Sequence, residues 1–519
     1  MNKTTKMRLG LLIILIAGTF NGFTQEYFNE RFGFSNSLAP DGALNAIEVN
    51  NGYVLNGKTE VELTQSKSTL GMIKFSLEGE ILWEKTWGDT ISHWWYSGRG
   101  SLINHLNAYY TIGSKTTFYE TENHSETLLI KYNDDFDTLW TAYYGKKQFP
   151  YDSSYIARNF TGIENGFVVV GTLELNYRAN HEVYLLKMDS LGNVLWEHNY
   201  QKNGFHTQGM SIINTSDNGF AIGAYRWVTG PYGVPIGDPI VIKTDSLGNL
   251  EWELNLGGQY QDGTAILCQS DDGNIFATSR FDTDSIHELL YDSRVQLAKI
   301  DNLGNILWNY LYGDNVSFQK VQNIRTVSKN GVIISGSHWH PTPNEMGFML
   351  RVDSLGDSLW YRQYAILNGP DSRNILYDAI PTSDGGFLGA GGCSPIPPDT
   401  GNQDAWVIKI DSMGCTSISD CWVGEPEWKW ITTEGGNKIK IYPNPANTWF
   451  EVEIKTNNKK DNNLIIKVFD LYGCLIEEME IPKGQNSTRL YVSDWNKGVY
   501  LIRVKDNNVV VGSGKVIVR

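Results

Sequence analysis

The stretch Lys187-Met-Asp-Ser-Leu-Gly-Asn-Val-Leu-Trp196 decides how the rest of the chain is read. It returns as Lys243–Trp252, Lys299–Trp308 and Arg351–Trp360, and more loosely as Lys74–Trp83 and Lys131–Trp140. Its tryptophans, Trp83, Trp140, Trp196, Trp252, Trp308 and Trp360, are spaced by 57, 56, 56, 56 and 52 residues. A seventh copy, Lys409-Ile-Asp-Ser-Met-Gly414, starts on schedule and stops before any Trp. A period this regular means an array of one supersecondary unit.

The third copy shows what that unit is. Tyr155–Gly162 reads as a strand, Glu164-Asn-Gly166 as a turn and Phe167–Gly171 as a short apolar strand. After a variable loop, Val183–Met188 and Val194–Tyr200 read as two more strands, joined by the Asp189–Asn193 hairpin in which Gly192 supplies positive φ. Four short antiparallel strands per period is the pattern of a β-propeller blade. The copies keep the order, with Asn51-Gly52, Asn218-Gly219, Asp272-Gly273 and Asn330-Gly331 at the first turn. The second copy departs most: Asn107-Ala-Tyr replaces the Asn-Gly turn and Phe136 replaces the hairpin glycine. Tyr27-Phe-Asn-Glu-Arg-Phe-Gly33 matches the fourth-strand pattern of Leu82–Gly88 and puts Phe28 at the Trp position. That segment supplies the strand the seventh copy lacks and removes an open sheet edge. The expected fold is all-β: a seven-bladed β-propeller over 25–420, closed by strand 27–33, then a small Ig-like β-sandwich. The repeated tryptophans are read as structural, since one large ring per blade fills the gap between facing sheets.

The Asp-x-x-Gly-x-x-x-Trp segment resembles the docking motif of quinoprotein-like (PQQ-like) propeller repeats, with a turn one residue shorter. The vicinal Cys pair of many quinone-dependent dehydrogenases has no counterpart here, so the resemblance implies the fold and no quinone cofactor. More broadly the chain looks like the secreted propellers common in Bacteroidota.

Residues 1–24 read as a signal peptide: Lys3, Lys6 and Arg8 precede the apolar run Leu11–Ala17, with small residues Gly22 and Thr24 before the cut. The formal charge is −15, and loss of those three cations takes it to −18. Acidity spread this widely argues against nucleic acid, which needs clustered Lys and Arg. Of five cysteines, Cys268 and Cys393 sit in apolar strand contexts, while Cys415 and Cys421 flank a short polar segment and are a candidate local disulfide.

Past a linker at 421–437, short alternating strands from Ile439 onward read as a small sandwich over 438–519. Tyr442-Pro443-Asn444-Pro445, Val468–Gly473, Gly498-Val-Tyr500-Leu-Ile-Arg-Val504 and the terminal Lys515–Arg519 resemble the type A C-terminal sorting domain of the type IX secretion system. The resemblance implies export through that machinery, removal of the domain by a sortase, and release or attachment to surface lipopolysaccharide. The expected location is secreted or attached to the outer-membrane surface.

On the propeller, the tight turns collect on one face and the long, variable connections on the other, where binding usually lives. Those connections carry Trp94, Trp95, Tyr96, Tyr151, Trp227, Tyr232 and Trp339, aromatic candidates for stacking on a glycan or gripping a protein. Loops packing on one another is the simpler reading of the same rings. His338 and His340 are a candidate pair of metal ligands that lacks a third. Asp282-Thr-Asp284 and Asp371-Ser could hold calcium, and no other cofactor is expected. The Asp-Ser-Leu turns resemble sites of bacterial O-glycosylation, although turn chemistry alone explains them. No nucleophile-elbow, zincin or P-loop motif occurs. The leading expectation is a non-enzymatic glycan- or protein-binding module with no assigned catalytic residue; the alternative is a secreted polysaccharide hydrolase or lyase.

Overall fold

The structure is a computed structural model. It describes residues 27–33, 42–62, 67–89, 92–96, 101–118, 123–145, 153–175, 180–201, 205–229, 235–283, 293–313, 317–327, 331–339, 344–369, 371–394, 403–417, 431–432, 438–442, 444, 446, 448–455, 464–470, 473–482, 484–496, 498–506 and 509–518. Among these residues every regular element is a β-strand. Each copy of the repeat forms an antiparallel unit whose strands pair in chain order; in the third copy these are Ser153–Ile163, Gly166–Leu175, Asn180–Asp189 and Val194–Tyr200. In the second unit the first strand is split into Ser92–Tyr96 and Leu102–His105, both paired with Ala108–Phe118. The sixth and seventh units are joined into one sheet by a parallel pair between Glu345 and Arg373. Phe28–Phe32 pairs antiparallel with Asp404–Ile410, and Phe28 lies opposite Lys409 as Trp196 lies opposite Lys187.

The hairpin sequence is explained by its own hydrogen bonds. Asp189 Oδ1 accepts from the amides of Leu191 and Asn193 at 2.9 and 2.8 Å, and its Oδ2 accepts from the Asn193 side chain at 2.9 Å. Gly192 closes the turn at φ +84°, and the same set recurs around Asp245 and Asp301. The glycine has a second duty. A Cβ on Gly248 would lie 3.1 Å from Trp196, and one on Gly304 3.1 Å from Trp252, so each Trp rests on the hairpin of the next unit. Trp252 and Trp360 also donate Nε1 to the carbonyls of Asn302 and Ser412 at 2.9 and 3.0 Å. Four residues on, Tyr200, Tyr312 and Tyr364 donate to the carbonyls of Gly248, Gly356 and Gly414 at 2.6, 2.7 and 2.8 Å. Phe28 takes the same seat against Gly79, 2.7 Å from where a Cβ would stand.

At the other edge of each unit the first strand carries a bulge, between Ala157 and Asn159, Val321 and Asn323, and Leu376 and Asp378. Each bulge faces a second-strand glycine: a Cβ on Gly171, Gly336 or Gly391 would meet a bulge carbonyl at 2.0–2.2 Å. Buried polar groups stitch these first strands together. Asp378, fully buried, accepts from Asn323 Nδ2 at 2.7 Å and from Arg325 at 2.8 and 3.1 Å, and takes the Ala46 amide at 3.3 Å.

Beyond the repeats, two four-stranded sheets enclose a core that includes Ile441, Phe450, Val468, Leu490 and Val516. Ile431–Thr432, inside the expected linker, pairs with Lys438–Ile439 and extends one of these sheets. Asn444 pins its segment to the last strand, donating to Lys515 O and accepting from Ile517 N, both at 2.9 Å. Tyr500 donates to Asn496 O at 2.7 Å. Pro443 and Pro445 lie outside the described residues, as do 1–26.

This C-terminal unit touches the sixth repeat. Where the third to fifth hairpins carry Asn193, Asn249 and Asn305, the sixth carries Asp357. Its carboxylate meets Lys505 Nζ at 2.6 Å and Arg503 Nη1 at 3.6 Å, with all three side chains largely buried. Arg351, in place of the repeat's lysine, lies beneath Gly473 and donates to Val332 O and Val352 O at 3.2 and 2.6 Å. Asp357→Asn restores the residue of the sister hairpins and leaves two buried cations unpaired, a costly arrangement. Amide hydrogen exchange of the full-length variant is expected to be at least about tenfold faster at Gly473 and Leu501–Lys505, with the Val352–Ser358 hairpin still protected. Unchanged exchange would show that the ion pairs do not hold the contact.

Candidate functional site

The connections between second and third strands, and those between units, leave from one set of strand ends; the tight hairpins leave from the other. The aromatic candidates meet different fates there. His93–Tyr96 is not a loop, as its place in a variable connection implied. It is a strand paired with Gly113–Thr116, since aromatic residues favour pleated backbone. Trp94 is half-buried there with Lys115 Nζ 5.0 Å from its ring and Tyr143 edge-on at 6.3 Å. The side chains of Trp95 and Tyr96, and residues Tyr151, Tyr232 and His340, lie outside the described residues. Trp339 ends its strand half-buried, opposite Phe318 and Glu345. His338 is buried, with Nδ1 3.1 Å from the Tyr361 hydroxyl. Among the described residues no group of three His, Cys, Asp or Glu could hold a metal ion. Cys415 is disulfide-bonded, Cys421 is outside the described residues, and Cys268, Cys393 and Cys474 are free.

Trp227 is the candidate around which other groups gather. It projects from Phe220–Thr229, and its amide donates to His206 O at 3.0 Å. Its ring centroid lies 5.9 Å from His181, 6.1 Å from His206 and 4.9 Å from Tyr225. His181 comes from the third unit, with Nε2 3.7 Å from Glu174 and Nδ1 3.2 Å from Gln208 Nε2. Between Tyr225 and Trp227 in sequence, Arg226 turns inward and clamps Glu253 with two bonds of 2.5 and 2.6 Å. That clamp, with its bond to Thr207 Oγ1 at 2.9 Å, fixes the strand that presents Trp227.

Tyr225 leads from this group to three aspartates. Asp238 stands opposite Arg226 on the third strand, Asp262 lies in the connection to the fifth unit, and Asp282 ends a second strand. Asp262 is 1% exposed; it accepts from Gly258 N at 2.5 Å and Asp282 N at 2.8 Å. Burial pushes its carboxyl up to about 7 against those amide bonds, and the charges of Asp282 and Asp238 add to the rise. Burial likewise raises Asp282 to about 6, opposed by the Arg280 guanidinium 3.1 Å away. Asp238, raised by burial, accepts from Asn255 Nδ2 at 2.7 Å, while its Oδ1 is buried without a partner among the described residues. Arg280 in turn lies over the Phe318 ring at 5.0 Å. Carboxyls that stay protonated near neutrality can donate a hydrogen bond, or a proton, to a bound molecule. Sequence reading missed His181, His206, Asp238 and Asp262 and named Asp282 only for calcium. No local spacing marks them, because they come from three units.

Residues 440–519 match the family model of the secretion system C-terminal sorting domain. Nothing matches among curated proteins. Among solved structures, the chain is similar to the polysaccharide lyase Uly1, at 9% identity and a TM-score of 0.42, over 76% of this chain and 94% of that one. It is also similar to an acylaminoacyl peptidase of Pyrococcus horikoshii, at 9% identity and a TM-score of 0.39, over 82% of this chain and 59% of that one. A GH32 β-fructofuranosidase of Bombyx mori gives 11% identity and a TM-score of 0.33, over 74% and 91%. The chain is all-β among the described residues, and its type IX sorting domain marks it as secreted or cell-surface attached and implies contact with that secretion machinery.

The aspartates give the site a pH signature. Between about pH 4 and pH 7 the unfolded chain has released protons that folded Asp262 and Asp282 still hold, so their contribution to stability falls as pH rises. At ~1.4 kcal/mol per pKa unit the cost for Asp262 reaches a few kcal/mol near neutrality. Asp262→Asn gives up one of the two accepted amide bonds at every pH, so its melting temperature relative to the parent is expected to rise from about pH 4 to about pH 7.5. Thermal denaturation across that range checks it; a shift independent of pH would mean the carboxyl is already ionised in the fold.

Proposed function

We propose that residues 25–420 form a seven-bladed β-propeller closed by the strand at 27–33, joined by a linker at 421–437 to an Ig-like sorting domain at 438–519. The pairing of Phe28 opposite Lys409 and its seat on Gly79 support the closure. The propeller serves as a non-enzymatic binding module for a glycan or protein ligand, displayed outside the cell once a sortase has processed the sorting domain and, where retained, tethered it to lipopolysaccharide. The observation that carries this reading is the group on the long-connection face. There Trp227, Tyr225 and two imidazoles lie near three carboxyls raised by burial, a mix of apolar faces and hydrogen-bonding groups suited to sugar rings.

One specific feature favours a second reading, polysaccharide cleavage. A carboxyl raised to about 7 is poised to act as a general acid, and Asp262 meets that requirement.

A glycan array probed with the full-length protein, followed by assays for reducing ends and unsaturated products on each bound glycan, separates the two. Retention without product, lost in Trp227→Ala at unchanged melting temperature, is the expected outcome. Product formation that Asp262→Asn abolishes would replace binding with catalysis. Equal retention by Trp227→Ala would remove this group from the site.

A further inference from the structure

The opposite face, where the hairpins lie, carries a polar cavity at the junction of the first and second units. It encloses about 340 Å³ and is lined by Asn50, Lys74, Asn104, Asn107, Asp134 and Phe136, with Tyr109 beside them. Its most informative member is Lys74. In three other units the lysine at this position is neutralised by the turn of its own unit: Lys243 meets Asp217 at 2.8 Å, Lys299 meets Asp272 at 2.5 Å and Lys409 meets Asp384 at 2.8 Å. Each of those acids stands three residues before the aromatic or apolar residue that opens the second strand, Phe220, Ile275 or Phe387. The residue three before Tyr53 is Asn50. The strand pairing is the same, with Lys74 opposite Val54 as Lys243 is opposite Ala221, but the turn is shorter: Val49 pairs with Gly52, whereas Asn214 pairs with Phe220. Lys131 and Lys187 meet no turn acid among the described residues either, and each lies over a ring, Tyr110 at 5.5 Å and Trp196 at 5.7 Å. Lys74 is half-buried with no hydrogen bond or ion pair among the described residues. The side-chain amides of Asn50, Asn104 and Asn107 likewise make no bond within the protein among those residues.

Of the six non-glycine residues described at positive φ, Asn107 at +56° and Phe136 at +60° line the cavity, and Asn51 at +60° and Leu106 at +48° adjoin its lining residues. Asparagine takes this conformation readily; leucine and phenylalanine do not. Sister hairpins put glycine where Phe136 stands, at Gly192, Gly248, Gly304, Gly356 and Gly414. A bulky residue there costs ~1 kcal/mol or more. The Phe136 ring stacks on Tyr109 at 4.3 Å and meets Trp83 at 5.4 Å, which walls the cavity from below. So this junction departs from the later ones in three ways: the turn that carries the acid there is shortened, a hairpin glycine is replaced, and Lys74 has neither an acid nor a ring against it.

We propose that this cavity is a binding site for a small polyhydroxylated monocarboxylate, a hexuronic acid or a terminal uronate of a glycan. The Lys74 ammonium takes the carboxylate. The three amides, each with donors and acceptors, match vicinal hydroxyls. Asp134 at the rim accepts from a hydroxyl and repels a dianion such as a sugar phosphate. The volume is at the small end for ligand sites, the size of one sugar ring. This site lies on the other face from the Trp227 group and does not depend on that group's role.

Titration calorimetry of the full-length protein with glucuronate, glucose and glucose 6-phosphate tests it. Glucuronate is expected to bind at least about tenfold more tightly than either of the others. Lys74→Gln should abolish that preference. Asn50→Asp puts a carboxylate in the cavity wall, where it competes for Lys74 and repels an anion, so it should weaken glucuronate about tenfold without lowering the melting temperature. Trp227→Ala should leave glucuronate binding unchanged. No binding of glucuronate by the parent protein, equal binding by Asn50→Asp, or loss in Trp227→Ala but not in Lys74→Gln would each overturn the assignment.

Discussion

The seat of each fourth-strand aromatic on the hairpin glycine of the next unit is the contact on which the repeat region depends. No unit can complete its own apolar cover: the Trp196 ring is finished by Gly248, and that of Trp252 by Gly304 and the Asn302 carbonyl. An aromatic buries ~150–250 Å², worth ~4–6 kcal/mol gross at ~25 cal/mol/Å², so each junction outweighs any single hydrogen bond in it. The glycine is required twice at once. It must take φ near +85° to close the turn, and it must present no Cβ to the ring below. A residue that meets only one of these conditions changes the junction, and Phe136 is the case in point. It accepts the strained φ and substitutes its own ring for the flat seat, so that Trp83 meets a tilted aromatic ring where its sisters meet a glycine.

Departures from the repeat therefore carry more information than its regularity. Identical units supply stiffness, and they do so equally everywhere, which is why the six tryptophans say little about function. Asp357 replaces a hairpin asparagine and meets two cations of the C-terminal unit. In the first unit a turn of two residues between Val49 and Gly52 stands where five join Asn214 to Phe220, and Lys74 meets no turn carboxylate. At Asp357 the exchange is by the nearest isostere: the turn's backbone bond survives while the charge changes by one. At Asn50 it is the shorter turn that removes the acid. A repeat array can be specialised in this way at one junction without loss of the fold.

What the sequence made legible follows the same division. The hairpin could be read because all its bonds fall within five residues, from Asp189 to Asn193. The C-terminal landmarks could be read because Asn444 and Tyr500 have roles that a short motif encodes, one pinning a segment to the last strand and the other tying down a turn. The candidate site was only partly legible. Trp227 stood out by residue type, but His181, Asp238, Asp262 and Asp282 are separated by up to about a hundred residues and meet only through the stacking of units. Trp94 shows the converse error. Its distance from the expected first strand suggested a loop, whereas a split of that strand into Ser92–Tyr96 and Leu102–His105 kept it in the sheet.

The two faces of the repeat region differ in how they can tolerate cost. Burial of Asp262 and Asp282 opposes folding near neutral pH, and Leu106 and Phe136 beside the Lys74 cavity hold a backbone conformation strained for their side chains. Natural domains are stable by only ~5–15 kcal/mol, so such penalties must be met locally by stiff surroundings or the groups would relax. The surroundings here are stiff for a definable reason. Arg226 is locked to Glu253 and Thr207 beneath the aspartates, and the Phe136 ring is wedged between Tyr109 and Trp83 beneath the cavity. In each place a buried, doubly anchored side chain belonging to the junction supports unfavourable groups at the surface. The junctions between units, more than the strands themselves, are where this fold can hold chemistry.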